Sequence, residues 1–398
     1  MDFVPIGVTL KRKNTHLCSI CQSPQKKNGK RNGKQRWRCI SCNASTTHQR
    51  PDTTQRNVLI GFVNWLLSKQ TQADHAGGTG RTFRYQTQWC WDVYPYLNQT
   101  GEVFDEIQVD GIYLRPGWCL LIAIANGKVI GWQWCDHEKS AAWIALLKHF
   151  PQPKVVVTDG GSGLLKALKM LWPGVEVQRC LVHIQRTIRT YLTLKPRMEA
   201  GKSLRHLSLQ LTRIKDQDEA ACWAAALAEW QSKYQYLLDE RTYAKDWAGP
   251  WPRGISQSRK SWPTHERLLK AYNAMNSVLK RGHLFTYLKP ELIGLGVSTT
   301  TNMIEGAINS GIREMIRLHR GMPIEHRRRA CEWFCWTHAD SLERPALPLI
   351  IKESELLLKE REVARKPVPY LVGPEVYGTA SIAEEGLYAR AGWGGRSR

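Results

Sequence analysis

The stretch from about residue 105 to 190 constrains the fold most, because its apolar runs change repeatedly between strand and helix periodicity. It opens with three strand patterns, of which the second and third flank the turn dipeptide Asn126-Gly127. Helix and strand patterns then alternate over residues 140–150, 154–158, 164–171 and 175–177, and a further helix pattern begins near 183. This order predicts an α/β fold with a mixed sheet and helices on its faces.

Two aspartates occupy positions in these strand patterns that favour ligand binding. Asp110 lies inside the first pattern, and Asp159 follows an apolar strand and precedes glycines. Ligand sites in α/β sheets gather at the carboxyl ends of strands, and carboxylate oxygens suit hard divalent cations. Either residue alone would fit an ordinary turn, because Asp-Gly is a common turn dipeptide. The prediction of a cation site therefore depends on a third acid.

A helix pattern that begins near Thr299 supplies that acid, Glu305. Polar residues recur there at spacings of three and four, which places them on one helix face opposite an apolar stripe. The polar face holds Asn302, Glu305, Asn309 and Arg313, and the cations Arg317 and Arg320 extend it. We expect the helix to pack on the sheet, to present Glu305 to the aspartates and to align its arginines with a DNA backbone. A helix with a solvated charged face is the alternative, and the pattern alone does not separate the two.

Four cysteines near the N-terminus form two Cys-x-x-Cys knuckles with 17 residues between them. The knuckles are Cys18 with Cys21 and Cys39 with Cys42, and the loop between them is rich in Lys and Arg. This spacing predicts a zinc ribbon in which four thiolates hold one structural Zn²⁺, with four unliganded thiols as the alternative. The total of 11 cysteines, an odd number with the rest scattered, favours a reducing compartment over a disulfide framework.

The net charge of +22 and the pI near 9.7 indicate a polyanionic partner, because a basic surface gains affinity from counterion release. Nucleic acid is favoured over a membrane surface, since no basic amphipathic helix with an apolar face stands out. A basic protein without such a partner is the other alternative. No run of 18 apolar residues and no apolar N-terminal stretch is present, so the cytoplasm is the default location.

The remaining segments complete a scheme of six regions. Residues 55–98 show three helix patterns around a glycine turn, the outline of a helix-turn-helix that carries Arg84; an ordinary helical linker is the alternative. Residues 190–295 are Trp-rich and helical, without a strand signal. The predicted regions are a zinc ribbon (1–50), a helix-turn-helix (51–100), the first part of the core (101–190), a helical insertion (191–295), the final core helix (296–340) and a C-terminal tail (341–398).

Four motifs, in this order along the chain, resemble those of the Mutator-like DDE transposases of bacterial insertion sequences. They are Gln108-Val109-Asp110-Gly111, Val157-Thr158-Asp159-Gly160, Arg179-Cys180-Leu181-Val182-His183 and Thr301-Asn302-Met303-Ile304-Glu305. The resemblance spans about 50–340 and implies a ribonuclease-H-like core with a helical insertion before the last acid. It implies that Asp110, Asp159 and Glu305 are catalytic acids that hold two Mg²⁺ ions, with Cys180, His183 and Asn302 as auxiliary residues near them.

The resemblance also implies an activity and partners. These are Mg²⁺-dependent cleavage at terminal inverted repeats, strand transfer into target double-stranded DNA, and an assembly of two or more copies in the bacterial nucleoid. The ribbon and the three-helix region are the candidates for binding the repeats. A non-catalytic DNA-binding regulator and a ribonuclease-H-like nuclease without strand transfer are the alternative functions.

Two features limit what the resemblance carries over. Gly306 follows the glutamate where many relatives have Arg, which indicates a sub-branch of the family. Cys180 and His183 equally fit a packed thiol and a satisfied core histidine, because two ligands alone do not make a zinc site. Their role therefore stays open between a site near the metals and a structural contact.

Overall fold

The structure is a computed structural model that describes residues 17–18, 20–31, 34–46, 51–76, 80–114, 118–252 and 254–364. The chain divides into two compact units. One holds the described residues of Met1–Asn98 and Ala307–Leu371, and the other holds those of Gln99–Gly306. Most of the predicted C-terminal tail, after residue 364, and the predicted glycine turn at residues 77–79 lie outside the described residues.

The first unit begins with a small antiparallel sheet followed by three helices. The strands are β1 (Gln25–Arg31), β2 (Lys34–Cys39) and β3 (Ser45–Thr46). The helices are α1 (Pro51–Leu67), α2 (Gln72–Ala76) and α3 (Arg81–Thr87). Buried aromatic rings join α1 to α3, since Trp65 and Phe83 meet edge to face at 5.2 Å. Three helices are thus present where the sequence predicts them, and their role as a helix-turn-helix stays a prediction.

A five-stranded mixed sheet organises the second unit. Its strands are β4 (Glu106–Leu114), β5 (Trp118–Ala125), β6 (Lys128–Cys135), β7 (Val155–Thr158) and β8 (Glu176–Arg179), in the order β6-β5-β4-β7-β8. The first three strands pair antiparallel, and β7 and β8 continue the sheet parallel to β4. Asn126 and Gly127 both have positive φ, as a tight hairpin turn requires. The predicted mixed α/β sheet is therefore confirmed.

Helices α4 (Ser140–Leu147) and α5 (Ser162–Leu171) cover one face of this sheet. Large apolar residues of the strands and helices form the core between them: Val109, Leu121, Val156, Trp143, Leu146 and Leu168. All residues of β5 are buried, which explains why its sequence is an unbroken apolar run rather than an alternating one.

The helical segment that follows has a core of its own. Its helices are α6 (Leu181–Leu192), α7 (Glu199–Gln210), α8 (Gln217–Asp239) and α9 (Glu266–Lys280). Trp223 and Trp230 lie in this core and donate their indole N–H groups to backbone carbonyls at 2.9 and 3.0 Å. The prediction that the segment lacks strands is wrong, because β9 (Arg241–Tyr243) and β10 (Ser261–Pro263) pair antiparallel. Strands of three residues are too short to show an alternating pattern.

The chain after this segment returns to the sheet. The short helix α10 (Pro290–Ile293) and the residues after it pack Leu292 and Val297 on Val155 and Val157 of β7. The Leu181 N–H, at the start of α6, then donates to the Thr299 carbonyl at 3.0 Å. This contact holds the segment before Glu305 against the beginning of α6.

Three helices complete the first unit: α11 (Ser310–Leu318), α12 (Ile324–Thr337) and α13 (Leu347–Ala364). Helix α12 is largely buried, and Gly311 of α11 lies against its Phe334 ring, where a Cβ would come within 2.5 Å of Cζ. The predicted final core helix (296–340) is not one continuous helix, because residues 319–323 interrupt it and Ile304–Asn309 forms a π-helical turn. Among the described residues, no helix combines the length and apolar character needed to cross a bilayer.

Candidate metal centre

Asp110 and Asp159 lie at neighbouring positions of two adjacent strands. β4 and β7 run parallel with Val109 opposite Thr158, so each aspartate follows a paired residue at the same level. Asp110 is largely buried, and this burial, followed by the charge of Asp159, raises its pKa to about 7. Two neighbouring carboxylates repel each other unless a proton or a cation reduces their charge. The sheet thus brings together the two aspartates that the sequence predicts as ligands.

The turn after β7 fixes the Asp159 carboxylate. Asp159 Oδ1 accepts hydrogen bonds from the Gly161 N–H at 3.1 Å and from Thr158 Oγ1 at 3.3 Å. Gly160 has φ +79°, a left-handed conformation that favours glycine, and its carbonyl accepts from Arg179 Nη1 at 3.4 Å. A Cβ at position 160 would lie 2.0 Å from the guanidinium carbon of Arg179. The positive φ therefore favours glycine here, and a Cβ would also displace the Arg179 guanidinium.

Glu305 lies in the same unit, and its charge contributes to the raised pKa of Asp110. Its Oε2 forms an ion pair with Arg186 Nη1, while its Oε1 accepts from Thr301 Oγ1 at 3.2 Å and lies 3.4 Å from His183 Nδ1. Burial favours the neutral carboxyl, but the hydrogen bond from Arg186 and the charge of His183 outweigh it and lower the pKa of Glu305. The structure therefore brings the three predicted acids into one electrostatic cluster.

A fourth acid, Glu138, approaches the aspartates from the loop between β6 and α4. Its carboxyl lies against Gly111, where a Cβ would come within 2.6 Å of Cδ. A Cβ at Gly161 would lie 3.9 Å from Glu138 Oε2 and 3.8 Å from Asp159 Oδ1, so both carboxylates face the same point. Burial, followed by the charges of Asp159 and Asp110, raises the pKa of Glu138 to about 7. Glu138 is not among the residues predicted from the sequence, because no motif marks a single acid in a polar loop.

Cys180 and His183 lie at the start of α6, beside Glu305. The Cys180 thiol is fully buried and accepts a hydrogen bond from the Thr301 N–H at 3.3 Å. Burial opposes the thiolate, but contacts with His183 and Thr301 outweigh it and lower the pKa of Cys180. The same contact with Cys180 raises the pKa of His183 against the effect of its own burial. Ligand atoms of Cys180, His183 and Glu305 all lie within 4.8 Å of one another.

The four N-terminal cysteines also meet in space. Cys18 and Cys42 place their sulfurs 3.5 Å apart, and Cys21 and Cys39 place theirs 3.4 Å apart. A tetrahedral Zn²⁺ with bonds of about 2.3 Å sets its sulfur ligands about 3.8 Å apart, close to these separations. Backbone N–H groups of Cys21 and Ile20 lower the pKa of Cys18, which favours the thiolate that binds metal. The cluster is therefore able to hold zinc, as predicted.

The arginines predicted to bind DNA lie on the surface of the first unit. Arg84, Arg313, Arg317 and Arg320 are all exposed. Arg84 donates to Gln72 Oε1 at 3.4 Å, and Arg317 lies 3.9 Å from Glu314 Oε1. Arg84 and Arg320 also line one cavity of about 810 Å³ together with Lys69 and Arg81. These side chains are available to phosphates, and their role in DNA binding stays a prediction.

Asn302 and Asn309 do not share one exposed face. Asn302 is exposed, and its backbone N–H lies 3.5 Å from Thr300 Oγ1, whereas Asn309 is only 2% exposed. The turn Ile304–Asn309 is π-helical, and such a turn takes one more residue than the α-helical spacing assumes. The constant α-helical spacing assumed for the polar face is therefore interrupted at this turn, while the face itself and the role of Asn302 near the acids stay predictions.

Carboxylates clustered on adjacent strands of a mixed α/β sheet give a protein the means to hold divalent cations. Residues 119–246 match the model of a known family, "Transposase, Mutator family". The transposase for insertion sequence element IS905 of Lactococcus lactis is 27% identical over 153 residues, 33% of this chain and 37% of that protein. A probable insertion sequence transposase of Corynebacterium diphtheriae is 25% identical over 155 residues, 38% of this chain and 43% of that protein.

These matches confirm that the chain is similar to the Mutator-like transposases of insertion sequences. The similarity covers less than half the length of either relative. The segment matched by the family contains Asp159, Cys180 and His183, while Asp110 and Glu305 lie outside it. The assignment of those two acids therefore depends on the geometry of the site.

Proposed function

We propose that the chain is a DNA transposase that cuts the ends of an insertion sequence and joins them to target DNA. The observation that carries the proposal is the convergence of Asp110, Asp159 and Glu305, which lie far apart in sequence and influence one another electrostatically. The similarity to Mutator-family transposases supports the same conclusion. A regulator without activity would have no need for buried carboxylates, whose mutual repulsion costs stability.

The topology supports a ribonuclease-H-like core. Three antiparallel strands lead into two parallel ones, and the second aspartate follows the first parallel strand. A helical segment with its own apolar core then separates Asp159 from Glu305, as expected for an insertion before the last acid. We propose the six regions of the sequence scheme on this basis, with the catalytic centre formed by the sheet and by the segment around Glu305 that follows the insertion.

The donor set suits magnesium. Asp110, Asp159 and Glu305 supply only oxygen ligands, and a hard cation with several retained waters needs no more than a few carboxylates. A pair of Mg²⁺ ions would activate water or a 3′ hydroxyl as nucleophile and stabilise the departing 3′ oxygen. The raised pKa of Asp110 fits this role, because a nearby divalent charge removes the cost of ionising a buried carboxyl.

The protein's own groups orient these acids. The N–H of Gly161 and the hydroxyl of Thr158 orient Asp159 by hydrogen bonds to Oδ1, and Oδ2 would bind the cation. Arg186 and Thr301 hold Glu305 ionised and fix its direction. Such supporting hydrogen bonds reduce the reorganisation that a cation site needs when it forms.

The DNA partners would be recognised outside this centre. We propose that the basic zinc ribbon and the exposed arginines of α3 and α11 contact the repeat ends. Phosphate contacts of this kind fix the position of the protein on the DNA without reading the base sequence. Joining two ends requires two or more copies of the chain, which we propose assemble on DNA in the nucleoid.

The test uses labelled DNA from both flanks of the coding region and a plasmid target. Wild-type protein with Mg²⁺ should give joined product. Asp110→Asn, Asp159→Asn and Glu305→Gln should each lose joining and cutting by more than roughly 100-fold, since even supporting residues of metal sites cost 10–100-fold. Binding of the ends should persist in all three variants. Asp218→Asn and Glu229→Gln, exposed on α8, are the matched controls.

Each outcome of that assay assigns one function. Cut product without joining would make the chain a nuclease, and binding without either product would make it a regulator. A variant of any of the three acids that joined DNA at the wild-type rate would remove that acid from the proposed centre.

A further inference from the structure

We propose that Cys180, His183 and Glu305 form a second cation site that selects a thiophilic ion such as Zn²⁺. Sequence spacing offers only two ligands here, Cys180 and His183, which is too few for zinc. The fold supplies the third, because the segment before Glu305 packs on the start of α6 through Thr299. Thiolate, imidazole and carboxylate together are a zinc donor set with one open position.

The separations between the ligand atoms fit a tetrahedral ion. Bonds of about 2.0–2.1 Å from zinc to nitrogen and oxygen would set those two atoms about 3.3 Å apart. His183 Nδ1 and Glu305 Oε1 lie 3.4 Å apart. Sulfur, with a bond of about 2.3 Å, would sit about 3.6 Å from each of them. Cys180 Sγ lies within 4.8 Å of both, so a small side-chain adjustment completes the triangle.

The imidazole nitrogen that would bind the ion faces the other two proposed ligands. His183 Nδ1 is buried and finds no well-oriented hydrogen-bond partner among the described residues, although Glu305 lies nearby. Burying a polar nitrogen without a well-oriented partner has a free-energy cost for the folded state. A bound cation would remove that cost, and this nitrogen is the observation that points to a ligand independently of the cluster.

The environment of the thiol resembles that of the N-terminal cysteine cluster. There the Ile20 N–H donates to Cys18 Sγ and the Ser41 N–H to Cys39 Sγ, each at 3.4 Å. At Cys180 the Thr301 N–H donates to Sγ at 3.3 Å. Backbone N–H groups that point at sulfur stabilise a metal-bound thiolate, because they compensate its negative charge.

Magnesium is a poor occupant of this second site. Mg²⁺ prefers oxygen ligands, whereas sulfur and nitrogen ligands favour zinc and other softer ions. Arg186 holds the other oxygen of Glu305, Oε2, and would remain as a supporting contact that orients the carboxylate towards the second ion. The two sites therefore share Glu305 but differ in the cation that they select.

This sharing has a consequence that rests on the proposed function. Zinc bound to Oε1, with Arg186 paired to Oε2, would compete with the magnesium centre for the Glu305 carboxylate. Occupancy of the second site would therefore inhibit magnesium-dependent cleavage by withholding the third acid.

The first experiment counts bound metal in the full-length chain. Protein is equilibrated with excess Zn²⁺, freed of loosely bound ion by gel filtration and analysed by mass spectrometry of the metal. Wild type should hold two ions, one in the cysteine cluster and one here. Cys180→Ala and His183→Gln should each hold one, and Cys222→Ala, which removes an exposed cysteine on α8, should hold two. A single ion in the wild type would overturn the proposal whatever the variants do.

Cobalt provides a second readout. Co²⁺ added to protein whose cysteine cluster already holds zinc should give a thiolate-to-cobalt absorption band, lost in Cys180→Ala and retained in Cys222→Ala. A band of equal intensity in Cys180→Ala would contradict the assignment. Circular dichroism establishes that each variant is folded before its spectrum is compared.

The inhibitory consequence is tested on DNA. The Zn²⁺ concentration that halves the Mg²⁺-dependent cleavage rate should rise at least tenfold in Cys180→Ala, with each protein normalised to its own rate without zinc. Equal sensitivity in the two proteins would refute the withholding of Glu305. The metal count needs neither DNA nor activity. A wild type that binds only one zinc ion would therefore refute the second site and leave the proposed function standing. A chain that binds the second ion yet never cuts DNA would refute only the proposed function.

Discussion

Stability of the second unit without divalent cations should fall as the pH rises, because of Asp110. Burial, followed by the charge of Asp159, raises the pKa of Asp110 from its ordinary value near 4 to about 7. A carboxyl with a raised pKa binds its proton more tightly in the folded state than in the unfolded state. Its stabilising contribution is therefore complete below about pH 4 and is lost as the pH rises through 7.

The size of the effect follows from the same shift. Between pH 5 and pH 8, Asp110 alone would lower the free energy of unfolding by about 2–3 kcal/mol, at about 1.4 kcal/mol for each pH unit between the two pKa values. Glu138, whose pKa is also raised to about 7, acts in the same direction but less strongly because it is more exposed. For a unit of this size the melting temperature should fall by about 5 °C or more.

Scanning calorimetry at pH 5 and pH 8 measures this effect. Wild-type protein is compared with Asp110→Asn in buffer without Mg²⁺, so that the titration of histidines cancels in the difference. Asp110→Asn should remove about 2 kcal/mol of the pH-dependent loss, and the control Asp218→Asn should remove none. Mg²⁺ or Mn²⁺ should restore the wild type at pH 8. An identical pH dependence in wild type and Asp110→Asn would show that Asp110 does not bind its proton more tightly in the folded state.

Three further predictions concern other parts of the chain. Gly163→Ala should lower the free energy of unfolding, measured with denaturant, by about 1–3 kcal/mol, because its Cβ would lie 2.1 Å from the Glu138 carbonyl oxygen. The control Gly294→Ala, where a Cβ meets open space, should change it by less than about 1 kcal/mol. Cys39→Ser should lose the zinc of the N-terminal cluster and weaken DNA binding, and a variant that still holds stoichiometric zinc there would contradict the ribbon. Arg84→Ala should lower the slope of log affinity for DNA against log salt by about 1, and an unchanged slope would exclude a phosphate contact.

Elements with long apolar patterns were predictable from sequence. The sheet, its hairpin at Asn126-Gly127 and helices α4 and α5 follow from runs long enough to show their period. The carboxylates Asp110 and Asp159 were predictable for a related reason, since their strands are continuous and pair in parallel. The cysteine cluster was predictable because its spacing alone determines the ligand set.

Features that depend on tertiary contacts were not predictable. Glu138 joins the acids only because Gly111 and Gly163 leave room for its carboxyl and its carbonyl oxygen. The hairpin of β9 and β10 is too short to show a pattern, and the π-helical turn at Ile304–Asn309 changes a spacing that sequence reasoning assumes constant. The proximity of Glu305 to Cys180 could not be predicted either, because 124 residues lie between them in the sequence and only the fold brings them together.

The claim that three distant acids jointly hold the catalytic cations is tested most directly by counting Mn²⁺ ions. Calorimetric titration of the DNA-bound chain, with zinc in the N-terminal cysteine cluster alone, should show two Mn²⁺ sites in the wild type and in Asp218→Asn, since phosphate oxygens complete the coordination. Asp110→Asn should lose tight binding at both sites, and Asp159→Asn and Glu305→Gln at one each. Unchanged Mn²⁺ binding in all three variants would contradict the account.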